Sequence, residues 1–533
     1  MKPLHILTLM TALGAMSAAA QDLSREITVD REIIPVEQDA RRLPLIPQVS
    51  LPPVKAVTLE PTQRAVSLPV SATVRLLDPV ERIDPQAPPH TRGYLTLGLG
   101  APLFVSDLSA GYRIIDRDDR ALRAWLQWNS TDYKQSSEYW RDRQGTLGID
   151  GARRFASGAL LEGGVAASFG RFNQPLADYW QTTARVDADL AWHARTGGLT
   201  YNVGARYGWF GYMHSPVTPF DGAKQNRVSV SGDGMFAIAD ASDLGLSAAL
   251  DLLTSNAAAM GDTDTRGTVT LTPMWRLRAG ALSMTLGPRI DMTFGGGKFF
   301  HIAPDVKMAW VPSSMFGIDV ELGGGEHVNA IADLALLARR QSPYLCYGMS
   351  HVPLTVNAGI TVGPFRGAWA RIYGGWAKAN NWLMPTLWSE GGMAWTDCNV
   401  SGARAGLELG ARIGSLAEVT AAYTIAQSGK SKAWIDNRDR AGHVVDARLR
   451  VTPLAGLDLT ATYQLRAHRL VAVGSEMHNL GNLSLLGVRA AYALNQSVSV
   501  FVSGDNLLNR STRMLDLAPS QGINAMIGGA LKF

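Results

Sequence analysis

From Gly93 onward apolar and polar residues alternate with a period of two. In the last segment Ile523, Ala525, Ile527, Gly529, Leu531 and Phe533 share one face, and Asn524, Met526, Gly528, Ala530 and Lys532 share the other. Leu457, Leu459, Ala461, Tyr463, Leu465 and Ala467 alternate with Asp458, Thr460, Thr462, Gln464 and Arg466 in the same way. The pattern returns around Ala184–Trp192, Ile302–Trp310 and Val445–Val451. This is the signature of strands with two unlike faces. A soluble sandwich would also alternate, so the contents of the faces have to decide. One face is Leu, Val, Ala, Tyr and Trp, the other carries both signs of charge, and the chain far exceeds one sandwich; together these favour a transmembrane barrel.

Breaks at Gly, Pro and polar clusters divide residues 93–533 into about 22 strands, an even number as expected for a closed antiparallel barrel. Connections such as 116–119, 195–198, 311–313, 413–415 and 494–495 are short. Those at 132–144, 211–224, 255–265, 324–351, 379–398, 428–439, 468–481 and 507–520 are long. Short and long alternate, as they must when turns face the periplasm and loops face outside. Pro288 and Pro304 fall inside proposed strands, where bulges are expected. Residues 329–338 have helical periodicity and predict a short loop helix.

Composition sharpens the picture. Only 18% of the 533 residues are charged, with 54 Gly and 14 Trp, whereas soluble domains carry about a quarter charged residues. Net charge is +4, which gives no reason to expect a nucleic-acid partner. Residues 1–20 read as a signal peptide: Lys2, an apolar run from Leu4 to Met16, then Ala18-Ala19-Ala20 as a cleavage site. Residues 21–91 hold 11 of the 26 prolines and read as an extended periplasmic or lumenal segment that can line the barrel or its periplasmic mouth. The barrel occupies 92–533, and the location is the cell outer membrane.

The strand count, the turn Gly504-Asp505-Asn506-Leu507-Leu508-Asn509-Arg510 and the final strand ending on Phe533 resemble the barrel of TonB-dependent receptors. The resemblance implies that Phe533 is the signal read by the barrel-assembly machinery. It also implies a folded plug ahead of the barrel, and the 71 residues between Ala20 and Arg92 are too few for one, so a plugless relative is expected.

Chemical motifs are sparse. Ser428-Gly429-Lys430-Ser431 lacks the leading Gly of a phosphate loop, Asp262-Thr263-Asp264 lacks the rest of a calcium loop, and Glu326-His327 has no second His at helical spacing. No catalytic set, cofactor or metal set is therefore expected, and the chain is read as a non-enzyme. Alternation assigns Arg185, Asp187, Asp189, Arg289, Asp291, Asp305, Lys307, Glu418, Asp446, Arg448, Arg450, Asp458 and Arg466 to the lumen, as a hydrated, ion-paired wall or a solute path. Trp125, Trp128, Trp192, Trp209, Trp275, Trp310, Trp369 and Trp376 are expected in the interfacial girdles. Tyr344, Tyr347, Trp382, Trp388 and Trp395 gather on the loops between 329 and 397, where they can stack on a ligand or pack on each other. Cys346 and Cys398 flank two strands, lie on the same side, and are expected to pair in an exported protein. Two functional classes stay open: a receptor or transport barrel working in the outer-membrane lipid with a protein partner (plug, surface lipoprotein or periplasmic coupling protein), and a structural or assembly scaffold barrel filled by its own N-terminal segment.

Overall fold

The computed structural model describes residues 92–135, 137–174, 179–214, 223–256, 264–296, 298–337, 340, 349–387, 393–515 and 518–533. The signal peptide, the Pro-rich segment and the Asp262-Thr263 step lie outside the described residues, as do Cys346, Tyr344, Tyr347 and Trp388.

The strands run β1 (Gly93–Ala101), β2 (Val105–Arg117), β3 (Arg120–Gln135), β4 (Glu138–Arg154), β5 (Leu160–Gln174), β6 (Tyr179–Thr196), β7 (Leu199–His214) and β8 (Lys224–Ala239). Then come β9 (Ser242–Ser255), β10 (Asp264–Ala279), β11 (Leu282–Phe294), β12 (Phe300–Ser313), β13 (Phe316–Val328), a helix α1 (Ile331–Leu337), β14 (Met349–Phe365), β15 (Ala368–Leu387) and β16 (Met393–Ile413). The chain ends with β17 (Ala417–Ala426), β18 (His443–Leu454), β19 (Leu457–Ala467), β20 (Leu470–Val473), β21 (Glu476–Asn479), β22 (Leu483–Ala493), β23 (Val498–Asp505) and β24 (Asn524–Lys532). β20 and β21 pair with each other as a hairpin inside a loop, and β19 pairs directly with β22. Of the 24 strands these two stand outside the wall, which leaves 22 in it. Every neighbouring pair in the wall is antiparallel, and β1 closes the ring against β24, with Tyr94 opposite Lys532 and Ala101 opposite Ala525.

The expected two-faced pattern is present. Ile527 is 70% exposed, Ile372 65% and Ile302 60%, and these residues form an apolar outer band. Such a surface is stable against lipid and would be a liability in water. No helix among the described residues is long and apolar enough to cross a membrane, so the crossing is made by strands.

The tryptophans divide. Trp310 and Trp376 share the face of the exposed Ile302 and Ile372. Trp125 and Trp369 do not: they sit on the charged face, folded over Gly148 and Gly410 of the adjacent strands, where any side chain would collide with the indole. The girdle assignment is corrected for those two. A large ring covering a bare glycine restores contact that the strand would otherwise lack.

The two prolines also behave differently from expectation. Pro288 and Pro304 pair with each other in an unshifted β11–β12 register. The disturbance falls on their other sides. β10–β11 pairing is missing between Leu271/Ile290 and Trp275/Leu286, and β12–β13 pairing stops at Val306. A proline has no N–H to give, so each strand releases its outer neighbour rather than bulging. The release propagates to β13, where the register with β14 shifts between Gly323 and Gly325.

Candidate functional site

At the long-loop end the described loops form a roof. α1 presents Ile331 and Leu334, both buried, to Phe210, Tyr212 and Ala223 on one side, and to Leu383, Met393 and Trp395 of the β15–β16 hairpin on the other. Its first turn is fixed to the wall: Ile331 N donates to Gln225 Oε1 at 2.7 Å, and Arg227 Nη1 donates to Asp333 Oδ2 at 3.0 Å. Arg340, beyond α1, reaches β5, donating from Nε to Asn173 O at 3.0 Å with its guanidinium over the Trp140 ring at 5.1 Å. β5 lies eight strands from β13 around the ring. α1 and Arg340 thus reach strands distant from β13, and Tyr133 Oη ties another part of the rim by donating to Pro519 O at 2.8 Å.

A second layer packs behind the β15–β16 hairpin. Trp382 and Trp395 were expected on loops, but they belong to strands and are 6% and 4% exposed. The Arg438 guanidinium lies 4.4 Å from the Trp382 ring and 5.8 Å from the Trp395 ring, and Arg438 donates to Leu383 O. These rings are spent on packing and are not free to stack on a ligand. Burial pushes the Arg438 pKa down to about 10, opposed by the nearby Asp436 carboxylate. Arg469, 2% exposed, donates from Nε to Asp439 Oδ2 at 3.0 Å and from Nη1 to Arg513 O at 2.8 Å. Three loops are thereby joined through one buried ion pair. Cys398 Sγ donates to Trp382 O at 3.4 Å.

The 504–510 turn acts as the foot of the last loop. Asn506, 4% exposed with φ 47°, donates to Arg510 O at 2.9 Å and Gln521 O at 2.6 Å, while its Oδ1 accepts from Arg510 N at 3.2 Å. A short amide side chain that tolerates the left-handed region is what such a turn requires. Lys430, in the Ser428-Gly429-Lys430-Ser431 stretch, donates from Nζ to Ser475 O at 3.1 Å.

The charged residues assigned to the lumen all sit on the faces opposite their strands' apolar residues. Several pair: Arg185 with Asp187 at 2.5 Å, Lys307 with Glu321 at 3.7 Å, Glu418 with Arg412 at 3.2 Å, Arg450 with Asp458 at 2.5 Å and Arg466 with Asp439 at 3.6 Å. Arg448, Arg450, Asp458, Arg489, Asp505 and Lys532 border a cleft of about 430 Å³ along that face. Asp189, Asp305 and Asp446 lie opposite Arg206, Gly287 and Gln464 in the register. Arg289 and Asp291 are drawn into a different structure. Asp291, fully buried, accepts from Arg289 Nε at 3.0 Å, Thr270 Oγ1 at 2.5 Å and the backbone N of Glu326 at 2.9 Å.

That last bond turns Glu326 inward. Asp319 and Glu321 mark the charged face of β13 by odd numbering, and beyond Gly323 the register shifts by one residue, the extra residue lying on β14 between Val352 and Thr355, which brings Glu326 opposite His351. Gly325 has φ 121°, and a Cβ there would strike the Arg289 guanidinium and the Asp291 carboxylate; only glycine fits. The result is a group that local spacing did not signal. Glu326 Oε1 lies 3.0 Å from His301 Nε2 and 2.6 Å from His351 Nδ1, and the two imidazole centroids are 4.0 Å apart.

A closed antiparallel wall of 22 strands, apolar outside and charged on the other face, with short turns at one end and a loop roof at the other, defines a large outer-membrane β-barrel. No family model and no curated protein matches the sequence. Among solved structures, the chain is similar to the siderophore receptor PirA from Acinetobacter baumannii (TM-score 0.65, 10% identity, 83% of this chain and 80% of that one). It is also similar to the FrpB iron transporter from Neisseria meningitidis (0.64, 10%, 83% and 82%) and to the copper transporter OprC (0.62, 12%, 83% and 81%). The receptor-like barrel expected from the strand count and the 504–510 turn is upheld at the level of fold.

Proposed function

We propose that this chain is an outer-membrane receptor barrel that admits a metal or a metal complex, in concert with a protein partner on the periplasmic side. The observation that carries the reading is the roof. An open ring of this many strands would be a wide hole, and here α1 and Arg340 reach over the mouth on polar and apolar contacts. A cover held by non-covalent contacts can be displaced by a ligand that binds the open form better. The cargo class is suggested by the siderophore, iron and copper proteins that share the fold. The ion-paired face opposite the apolar band serves in this reading as the hydrated wall of the path. A Cys346–Cys398 bond belongs to the same proposal, since it would tether the roof loop to the β15–β16 hairpin.

Cellular metal content under metal limitation tests it. Cells lacking the protein are expected to hold less iron or less copper than complemented cells, measured by mass spectrometry of washed cells. Equal content of both metals in the two strains, supplied as salts and as chelates, would refute the reading.

A further inference from the structure

We propose that His301, Glu326 and His351 bind one divalent first-row transition-metal cation at the outer rim of the barrel. The three donor atoms come from the starts of β12 and β14 and the end of β13, and all lie within 4.8 Å of one another. Two imidazole nitrogens and one carboxylate oxygen suit zinc, nickel, cobalt(II) or copper(II), and do not suit calcium or magnesium, which prefer all-oxygen shells. A tetrahedral site with bonds of about 2.0–2.2 Å separates its ligands by roughly 3.3 Å. The two carboxylate–imidazole spacings, 3.0 and 2.6 Å, are shorter than that value, so the carboxylate has to draw back by roughly a few tenths of an ångström for the three groups to share one cation. Three protein ligands leave a position open for water or for an incoming ligand atom.

A second observation points to a ligand. Glu326 has a side chain only 4% exposed, yet neither its Oε1 nor His351 Nδ1 makes a hydrogen bond of acceptable geometry; the two atoms are close without being aligned. A buried carboxylate oxygen with no aligned donor is costly, and a shared cation removes the cost. The surrounding charges are already committed: Arg289 is paired with Asp291, and its Nη2 donates to Glu326 O at 3.1 Å. These contacts hold the backbone that presents the carboxylate, as outer partners of metal sites commonly do.

Glu326 stands just before the roof loop and His351 just after it. A cation held here clips both feet of that loop to β12. Binding as such is independent of the receptor reading; only a role in cargo capture rests on it.

Cobalt(II) titrated into the purified full-length protein in detergent, after removal of metals with chelator, tests the site. One equivalent is expected to bind with visible d–d bands that zinc abolishes. His301→Ala and the isosteric Glu326→Gln are each expected to weaken binding at least about tenfold, by comparison with the effect of losing even an outer partner. His478→Ala, altering an exposed histidine of the β20–β21 hairpin, is expected to bind as the unaltered protein does. Heat-modifiable gel mobility confirms that each variant is folded. Absence of the bands, or equal binding by folded Glu326→Gln, overturns the inference. If cellular metal content still depends on the protein in that case, the receptor reading stands without this site.

Discussion

Replacing Asp439 with alanine is expected to loosen the roof by about 3–5 kcal/mol, the usual consequence of leaving a buried charge without its partner. Arg469 is 2% exposed and has Asp439 as its ion-pair partner at 3.0 Å, with Arg466 approaching the same carboxylate at 3.6 Å. Without the carboxylate two guanidinium groups are left beside each other, that of Arg469 almost fully buried. The cheapest relief is for the loops around 427–442 and 468–482 to swing out. A change of that size raises the open population at least about a hundredfold. Limited proteolysis of the folded protein should then cut those loops much faster while the barrel keeps its compact, heat-modifiable gel mobility. Asp439→Leu combined with Arg469→Met should recover most of the protection, because replacing both partners by apolar groups removes the orphan. Unchanged cleavage in Asp439→Ala would show that the pair does not hold the roof.

The second large effect concerns assembly. Phe533 closes the ring through its backbone, accepting from Gly93 N at 2.7 Å and donating to Gly93 O at 3.0 Å, while its ring is 54% exposed and stacks on Tyr112 with centroids 6.4 Å apart. A charged side chain near the membrane interface costs only about 0–1 kcal/mol in a finished barrel. Stability therefore predicts a mild phenotype for Phe533→Asp, and recognition by the assembly machinery predicts a severe one. The expectation is near-complete loss of folded protein from cells, with refolding into lipid vesicles from urea hardly altered. Normal levels in cells would remove Phe533 from the role of assembly signal.

The wall was legible in the sequence because lipid on one side and water on the other impose strict alternation. The 22 strands follow from it, as does α1, whose period differs. Legibility fails where that constraint ends. The segment 379–398 reads as a loop, yet β15 and β16 continue through most of it. Trp382-Leu383-Met384 and Met393-Ala394-Trp395 are consecutive apolar triplets, buried on both faces between α1 and the 427–442 loop. A strand covered on both sides has no reason to alternate. The His301, Glu326 and His351 group was invisible for another reason. Its members stand on three strands, and the register shift between β13 and β14, beside the proline-interrupted ladders, brings His351 opposite the carboxylate. Local spacing carries no trace of that. Gly323-Gly324-Gly325 directly before Glu326 was the signal available, since three glycines in a strand mark a break in the ladder.

Single-channel recording in planar bilayers distinguishes a mouth covered by α1 from an open one. The purified full-length protein should give no steady current, whereas the variant lacking residues 331–337, confirmed to be folded, should conduct. A steady open-pore current from the unaltered protein, or continued silence of the folded deletion variant, would show that α1 does not cover the mouth.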